Sequence, residues 1–182
     1  MPKSEQGIEG KRYQVIPRSL IFVTRQDEIL LLKGAAKKRL WANRYNGVGG
    51  HMERGEDALS AARRELLEET GLTCDPLWLA GTVMVDVTEY VGVCIFVFRG
   101  EFSGGRLKES DEGTLRWCSE KDMEALPILD DLQTLLPAAL SIKIGDPPFF
   151  ARSFYDENDQ LQVKLTEGIN SRQDCIRKRS TE

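Results

Sequence analysis

Glu65, Glu68 and Glu69 stand at spacings i, i+3 and i+4 inside residues 57–70, a stretch with neither Pro nor Gly and rich in Ala, Leu, Glu and Arg. That composition favours a helix, and Gly71 is suited to close it. On a helix the three carboxylates share one face about a turn apart, while Leu59, Ala62 and Leu66 line a separate apolar stripe that can pack on a core. Acids crowded in this way repel by about 0.2–0.5 kcal/mol per i,i+4 pair, and the dipole disfavours them near a helix C-terminus. Arg63 and Arg64 offset part of that repulsion. Three hard oxygen ligands on one wall also suit Mg²⁺, which is held by a few carboxylates together with waters and substrate phosphates. A solvated charged helix face is the other reading of such a run.

The preceding loop favours the metal. Gly47, Gly49, Gly50 and Gly55 make a turn-rich entry where backbone can approach a ligand closely and carbonyls are free to face a cation. Gly50, five residues, Glu56, seven residues, then Arg64-Glu65-Leu66-Leu67-Glu68-Glu69-Thr70-Gly71-Leu72 resembles the complete Nudix box, with every restricted position filled.

That resemblance implies an α/β/α sandwich with a mixed β-sheet, in which the box forms a catalytic loop-helix-loop. It also implies hydrolysis of a nucleoside diphosphate linked to another group, by water attacking phosphorus, with Mg²⁺ (or Mn²⁺) as cofactor. Carried over by position, Glu65, Glu68 and Glu69 are metal ligands and the Gly49 carbonyl is a further one. Arg64 orients the carboxylates, Glu56 supports them, and Glu65 is also a candidate general base. Glu112 sits where some members place another carboxylate, and it also reads as an ordinary loop acid. His51, the only histidine, could meet a substrate phosphate, although its place in the box is unrestricted.

Substrate choice lies outside the box. The run from Tyr45 to Gly50 resembles the segment that supplies an Asn to the base edge in enzymes acting on oxidised purine nucleoside triphosphates, which points to Asn46. Pro127-Ile128-Leu129-Asp130-Asp131 resembles their paired-Asp segment. Two adjacent Asp can share a proton and so adapt to a base's donor pattern, which suits telling 8-oxoguanine from guanine. Asp130 and Asp131 also read as caps for the helix that follows, and Ile128 stands where those enzymes can stack an aromatic on the base. The reading is a diphosphatase for a triphosphate such as 8-oxo-dGTP. An ADP-ribose or dinucleoside polyphosphate pyrophosphatase is the alternative, and a non-catalytic nucleotide-binding regulator a second.

The 182 residues, 41% hydrophobic and 30% charged, suit one globular domain, assigned here to residues 11–166 with flexible termini at 1–10 and 167–182. A net charge of −4 offers no basic footprint for duplex nucleic acid and fits a small, metal-chelated nucleotide better. Cys74, Cys94, Cys118 and Cys175 show neither C-x-x-C pairing nor zinc spacing, so reduced thiols are expected. With no apolar signal core and only strand-length apolar runs, a cytoplasmic protein without membrane insertion is expected, and a homodimer is left open.

To position the box, the sequence offers a hairpin over residues 13–24 and 29–32, with Pro17 expected at an edge or bulge. Residues 33–44 form a basic loop, either a solvated connection or a phosphate-attracting rim. Strands are expected over 77–87 and 89–98, the second central and buried, then a loop over 102–112 and a short strand over 114–118. One or two helical turns at 120–126, an amphipathic helix over 130–140 and a hairpin of 149–155 with 161–165 complete the domain. No internal repeat is present.

Overall fold

A computed structural model describes residues 12–37, 40–108 and 111–166, together with Pro2 and Gly7. The terminal segments 1–10 and 167–182, with Cys175, and Lys38 and Arg39 of the basic loop, lie wholly or mostly outside the described residues. The element order is β1 (Gln14–Arg25), β2 (Glu28–Gly34), β3 (Tyr45–Asn46), α1 (Ala58–Thr70), β4 (Leu77–Asp86), β5 (Val91–Glu101), β6 (Gly113–Ser119), α2 (Glu120–Met123), α3 (Leu132–Ser141), β7 (Phe149–Tyr155) and β8 (Leu161–Leu165).

The strands form one mixed sheet in the order β3-β2-β1-β5-β4-β7-β8, with β6 on β2. β1 runs parallel to β5 and β4 parallel to β7, whereas the hairpins β1–β2, β4–β5 and β7–β8 are antiparallel. Alternation along the strands splits the core into two layers. Leu20 and Phe22 of β1 join Leu31, Val83, Val97 and Ala151 under Leu132, Leu135, Leu136 and Ala139 of α3. Ile21 and Val23 point the other way, joining Leu30, Val48 and Phe98 under Ala62 and Leu66 of α1. Each fully buried Leu, Ile or Phe contributes about 1.5–3 kcal/mol, so both helices are fixed chiefly by packing on the sheet. This is the expected sandwich.

The details differ from expectation in three places. Pro17 is neither at a sheet edge nor at a bulge, since β1 is interior and Pro17 pairs with Cys94 of β5. Ser19 and Ile21 turn their N–H groups to Gly50 and Val48, so by alternation the Pro17 nitrogen faces that flank and costs no bond to β5. The basic loop begins later than expected, because Lys33 and Gly34 finish β2. α3 begins at Leu132, two residues later than expected, and holds Pro137 within it at an exposed position. Among the described cysteines, Cys74, Cys94 and Cys118 are all free, and burial pushes the Cys74 thiol up to about 11.

Candidate active site

The site begins where β1 and β2 part. Ser19 N–H donates to the Gly50 carbonyl (2.9 Å), Ile21 and Val48 exchange two bonds, and Met52 N–H donates to Pro17 (3.1 Å). Residues 48–52 are therefore stitched along β1, while β3 just before them pairs with Leu32 and Lys33 of β2. With the Val48 and Gly50 carbonyls spent on β1, Gly49 turns its N–H to the Glu69 carboxylate (3.0 Å). Gly49 needs its φ of 147°, and any Cβ there would collide with the backbone of Ser19.

α1 is delimited as its residues dictate. Asp57 caps it by accepting from Ser60 N–H (2.8 Å), and Gly71 closes it at φ 72° with its N–H on the Leu67 carbonyl. Thr70, fully buried, bonds the Leu66 carbonyl and receives Leu72 N–H. Asp57→Ala removes the cap and is expected to cost about 0.5–2 kcal/mol in a urea melt, with turnover of the remaining folded enzyme little changed.

The apolar stripe is Ala61, Ala62 and Leu66, with Leu59 only half-buried. The three box glutamates do not share one environment. Glu69 is 8% exposed and lies on the buried face against Gly49, whereas the side chain of Glu68 is 60% exposed. Glu65 lies between, its carboxylate pressed against Gly50, where an added Cβ would fall within 2.8 Å of all three carboxyl atoms.

Arg64 ties the loop to the helix. Its Nε and Nη2 grip both oxygens of Glu56 (2.7 and 3.0 Å), Nη1 donates to Glu65 (2.9 Å) and Glu68 (3.0 Å), and Nη2 also donates to the His51 carbonyl (3.0 Å). The guanidinium holds the Glu56 carboxyl below the usual carboxylate range, helped by Glu53 N–H, and Glu56 in turn raises the pKa of Arg64. Among the described residues, no three His, Cys, Asp or Glu side chains stand close enough to cage a metal by themselves. The donor set nevertheless suits a hard divalent cation. Carboxylate oxygens converge on a glycine loop that leaves them room, and Mg²⁺ completes its shell with water and substrate phosphate.

The remaining expected residues fall into two groups. His51 is exposed, its Nε2 accepts from Arg18 Nε (3.1 Å), and its carbonyl does the structural work through Arg64. Glu112 is half-buried at the end of the 102–112 loop, which crosses the C-terminus of α1 through Lys108 N–H on the Thr70 carbonyl, and its own carbonyl receives Ala35 N–H. Asn46 and the Asp130–Asp131 pair, 84 residues apart along the chain, come to one edge. Tyr45 N–H donates to Pro127 and the Tyr45 carbonyl receives Leu129 N–H, so residues 127–129 run parallel to β3.

At that edge the two aspartates are unequal. Arg44 clasps Asp130 and the Ile128 carbonyl, holding the Asp130 carboxyl below its usual range. Asp131 makes no side-chain cap bond to α3, and burial pushes its carboxyl above the usual range, with the Asp130 charge adding to the rise. The N–H groups of Asp131 and Leu132 pull the other way, so the start of α3 still holds this carboxyl in part. Arg44 is spent on Asp130, so its charge is not available to a phosphate-attracting rim. Neither the Arg44 clasp nor the Ser19 contact with the glycine loop could be read from the sequence, because partners on separate strands leave no spacing signal.

The NUDIX domain family matches residues 16–138, more than half of the chain. The chain is a Nudix hydrolase. It is 35% identical over 113 residues to an oxidized purine nucleoside triphosphate hydrolase of Danio rerio, covering 60% of this chain and 67% of the relative. It is 34% identical over 121 residues to the human 8-oxo-dGDP phosphatase NUDT18, covering 66% of this chain but 33% of that longer protein. In structure it resembles a MutT protein from Bacillus halodurans, with a TM-score of 0.69 at 24% identity over 83% of this chain and 97% of that one. Nudix hydrolases use divalent metal ions and act on small nucleotides, and the carboxylates around Gly49 and Gly50 suit both. No helix among the described residues of this Nudix hydrolase is long and apolar enough to cross a membrane.

Proposed function

We propose that this Nudix hydrolase converts an oxidised purine nucleoside triphosphate, such as 8-oxo-dGTP, to the monophosphate and pyrophosphate. The observation that supports the reading is the pairing of Tyr45 with residues 127–129, which brings the segments of Asn46 and of Asp130–Asp131 to one edge, with Asn46 three residues upstream of the Gly49 that contacts Glu69. The Asn46 amide oxygen accepts Gly47 N–H (2.8 Å), which leaves the NH₂ end to donate to a base. Burial raises the Asp131 carboxyl above its usual range while Arg44 holds Asp130 below it, so the two differ in how readily they take a proton. Two adjacent carboxyls of unequal proton affinity suit a purine edge on which oxidation has turned an acceptor into a donor. Of the relatives named above, one is named for oxidized purine nucleoside triphosphates and one for 8-oxo-dGDP, which supports an oxidised purine nucleotide as the substrate class.

Glu65, Glu68, Glu69 and the Gly49 carbonyl would hold Mg²⁺ or Mn²⁺, which supplies positive charge to the phosphate oxygens. Arg64 keeps the carboxylates apart and aimed, and Glu56 anchors Arg64. Water adds to phosphorus as the bond to the bridging oxygen breaks, pyrophosphate leaves, and Glu65 takes the water's proton. The chain is read as cytoplasmic, and Glu112 as a further carboxylate for metal or water.

The test is a Mg²⁺-dependent assay across 8-oxo-dGTP, dGTP, ADP-ribose, diadenosine polyphosphates and NADH. The expected outcome is a preference for 8-oxo-dGTP, which Asp131→Asn and Asn46→Ala reduce by about 10–100-fold in kcat/KM, since each buried polar pairing contributes about 1–3 kcal/mol of discrimination. Preference for ADP-ribose or a dinucleotide would overturn the substrate while leaving the enzyme class intact.

A further inference from the structure

β1 is an interior strand, and one position on its α3 side breaks an apolar row. Leu20 and Phe22, of the core under α3, share that face with Ile16 and with Arg18. Across the sheet Arg18 is in register with Ile95 of β5, Ile95 with Val83 of β4, and Val83 with Ala151 of β7, all packed in the same core. Arg18, half-buried, is the one charge in that row. Such a break in local pattern is where function is to be expected.

On its other flank Arg18 is the antiparallel partner of His51. Its Nε donates to His51 Nε2 (3.1 Å), whereas Nη1 and Nη2 have no acceptor among the described residues. By contrast Arg64 is spent on Glu56, Glu65 and Glu68, and Arg44 on Asp130. The backbone of His51 belongs to the glycine loop: its carbonyl receives Arg64, and Gly49 and Gly50 just before it meet Glu69 and Glu65. Arg18 therefore shares a loop with the carboxylates and a side of the sheet with Leu129 and Leu132, which flank Asp130 and Asp131. A guanidinium braced through Nε presents Nη1 and Nη2 end-on, the fork that grips a phosphate by two oxygens. A nucleoside polyphosphate brings negative charge to a loop already ringed by glutamates, so a cation not spent on them favours its approach.

We propose that Arg18, braced by His51, is a substrate-binding residue that takes a phosphate of the nucleotide on Nη1 and Nη2. It makes and breaks no bond. It holds the phosphate in the ground state and the transition state alike, so it acts on affinity more than on turnover. This deepens the proposed function and rests only on a phosphate-bearing substrate, not on which base that substrate carries, so the test is run on whichever nucleotide the parent hydrolyses.

Arg18→Ala is expected to raise KM about tenfold or more with kcat within about threefold of the parent, the loss of a charge-assisted pair of hydrogen bonds. Arg18→Lys, which keeps the charge but not the fork, should recover only part of that loss. Inhibition by the products locates the contact. Each phosphorylated product of the parent reaction is compared with the phosphate-free nucleoside, and the alanine variant should bind one of the former about tenfold more weakly while the nucleoside is unchanged. An alanine variant with parental KM would overturn the proposal, as would a rise in KM that no phosphorylated product shares. Equal weakening of the nucleoside would place the effect at the base and overturn it as well. So would a fall in kcat and melting temperature with KM unmoved, because Arg18 would then only brace the glycine loop. A wrong base shows instead in the parent's own substrate profile.

Discussion

Glu69→Gln lowers kcat by about 10³-fold or more, raises the Mg²⁺ concentration needed for half activity, and leaves the melting temperature unchanged or higher. Glutamine keeps an oxygen to accept the Gly49 N–H at 3.0 Å, so the loop and the buried face of α1 stay in place. What goes is a negative charge that this 8%-exposed position holds beside Glu65 and Glu68. For a hard cation that is an anionic ligand, and for the helix it is a source of repulsion. Glu56→Gln is the matched control. Its carboxylate is committed to Arg64 and Glu53 N–H, so that variant should lose less activity and more stability. Equal activity of Glu69→Gln and the parent at low Mg²⁺ would remove the basis for the metal assignment.

Arg64→Lys comes next in size. The guanidinium reaches Glu56 with two nitrogens, Glu65 and Glu68 with a third, and the His51 carbonyl besides. An ammonium carries one charge on a compact head and cannot form that fork. The charge balance of the cluster survives, but the spacing between Glu65 and Glu68 does not. We expect kcat to fall by about 10²-fold, since misplacing reacting groups by an ångström has that order of effect. The melting temperature should drop by only a few degrees, because the packing of Ala62 and Leu66 is untouched. Steady-state kinetics paired with thermal melts check both numbers. A lysine variant with parental kcat would mean that charge alone suffices at residue 64.

The parts of this molecule that were legible beforehand are those whose cause is local. α1 could be bounded within one residue because Ala, Leu, Glu and Arg fill it and Gly71 ends it, and the β7–β8 hairpin was marked by its Asp-Glu-Asn-Asp-Gln turn. The apolar run of β5 was recognisable as a central strand because it is covered on both faces. Pro17 misled because pairing is a property of two strands, and the flank on which its nitrogen falls depends on residues 48–52. For the same reason the division of labour among the glutamates was hidden. The i, i+3, i+4 spacing places Glu65, Glu68 and Glu69 near one another, but only the approach of the Gly49–Gly50 loop makes one buried, one crowded and one exposed. Asn46 and Asp130 could be named by likeness, yet the approach of their two segments depends on two backbone bonds at Tyr45.

The extended run from Asn46 to Gly49 is also a ruler. It carries Asn46, which on the proposed function meets the base, at one end and the carboxylate-facing glycine at the other, and it is pinned on both flanks, to β2 at Leu32 and to β1 at Ile21. Three residues of strand rise span about 10 Å. On the proposed function that interval would set how far a recognised base stands from the phosphorus that is attacked, and no side-chain substitution alters it. New specificities can arise from changed residues at either end, whereas one residue inserted between them would lengthen the gauge and turn every later side chain to the opposite face.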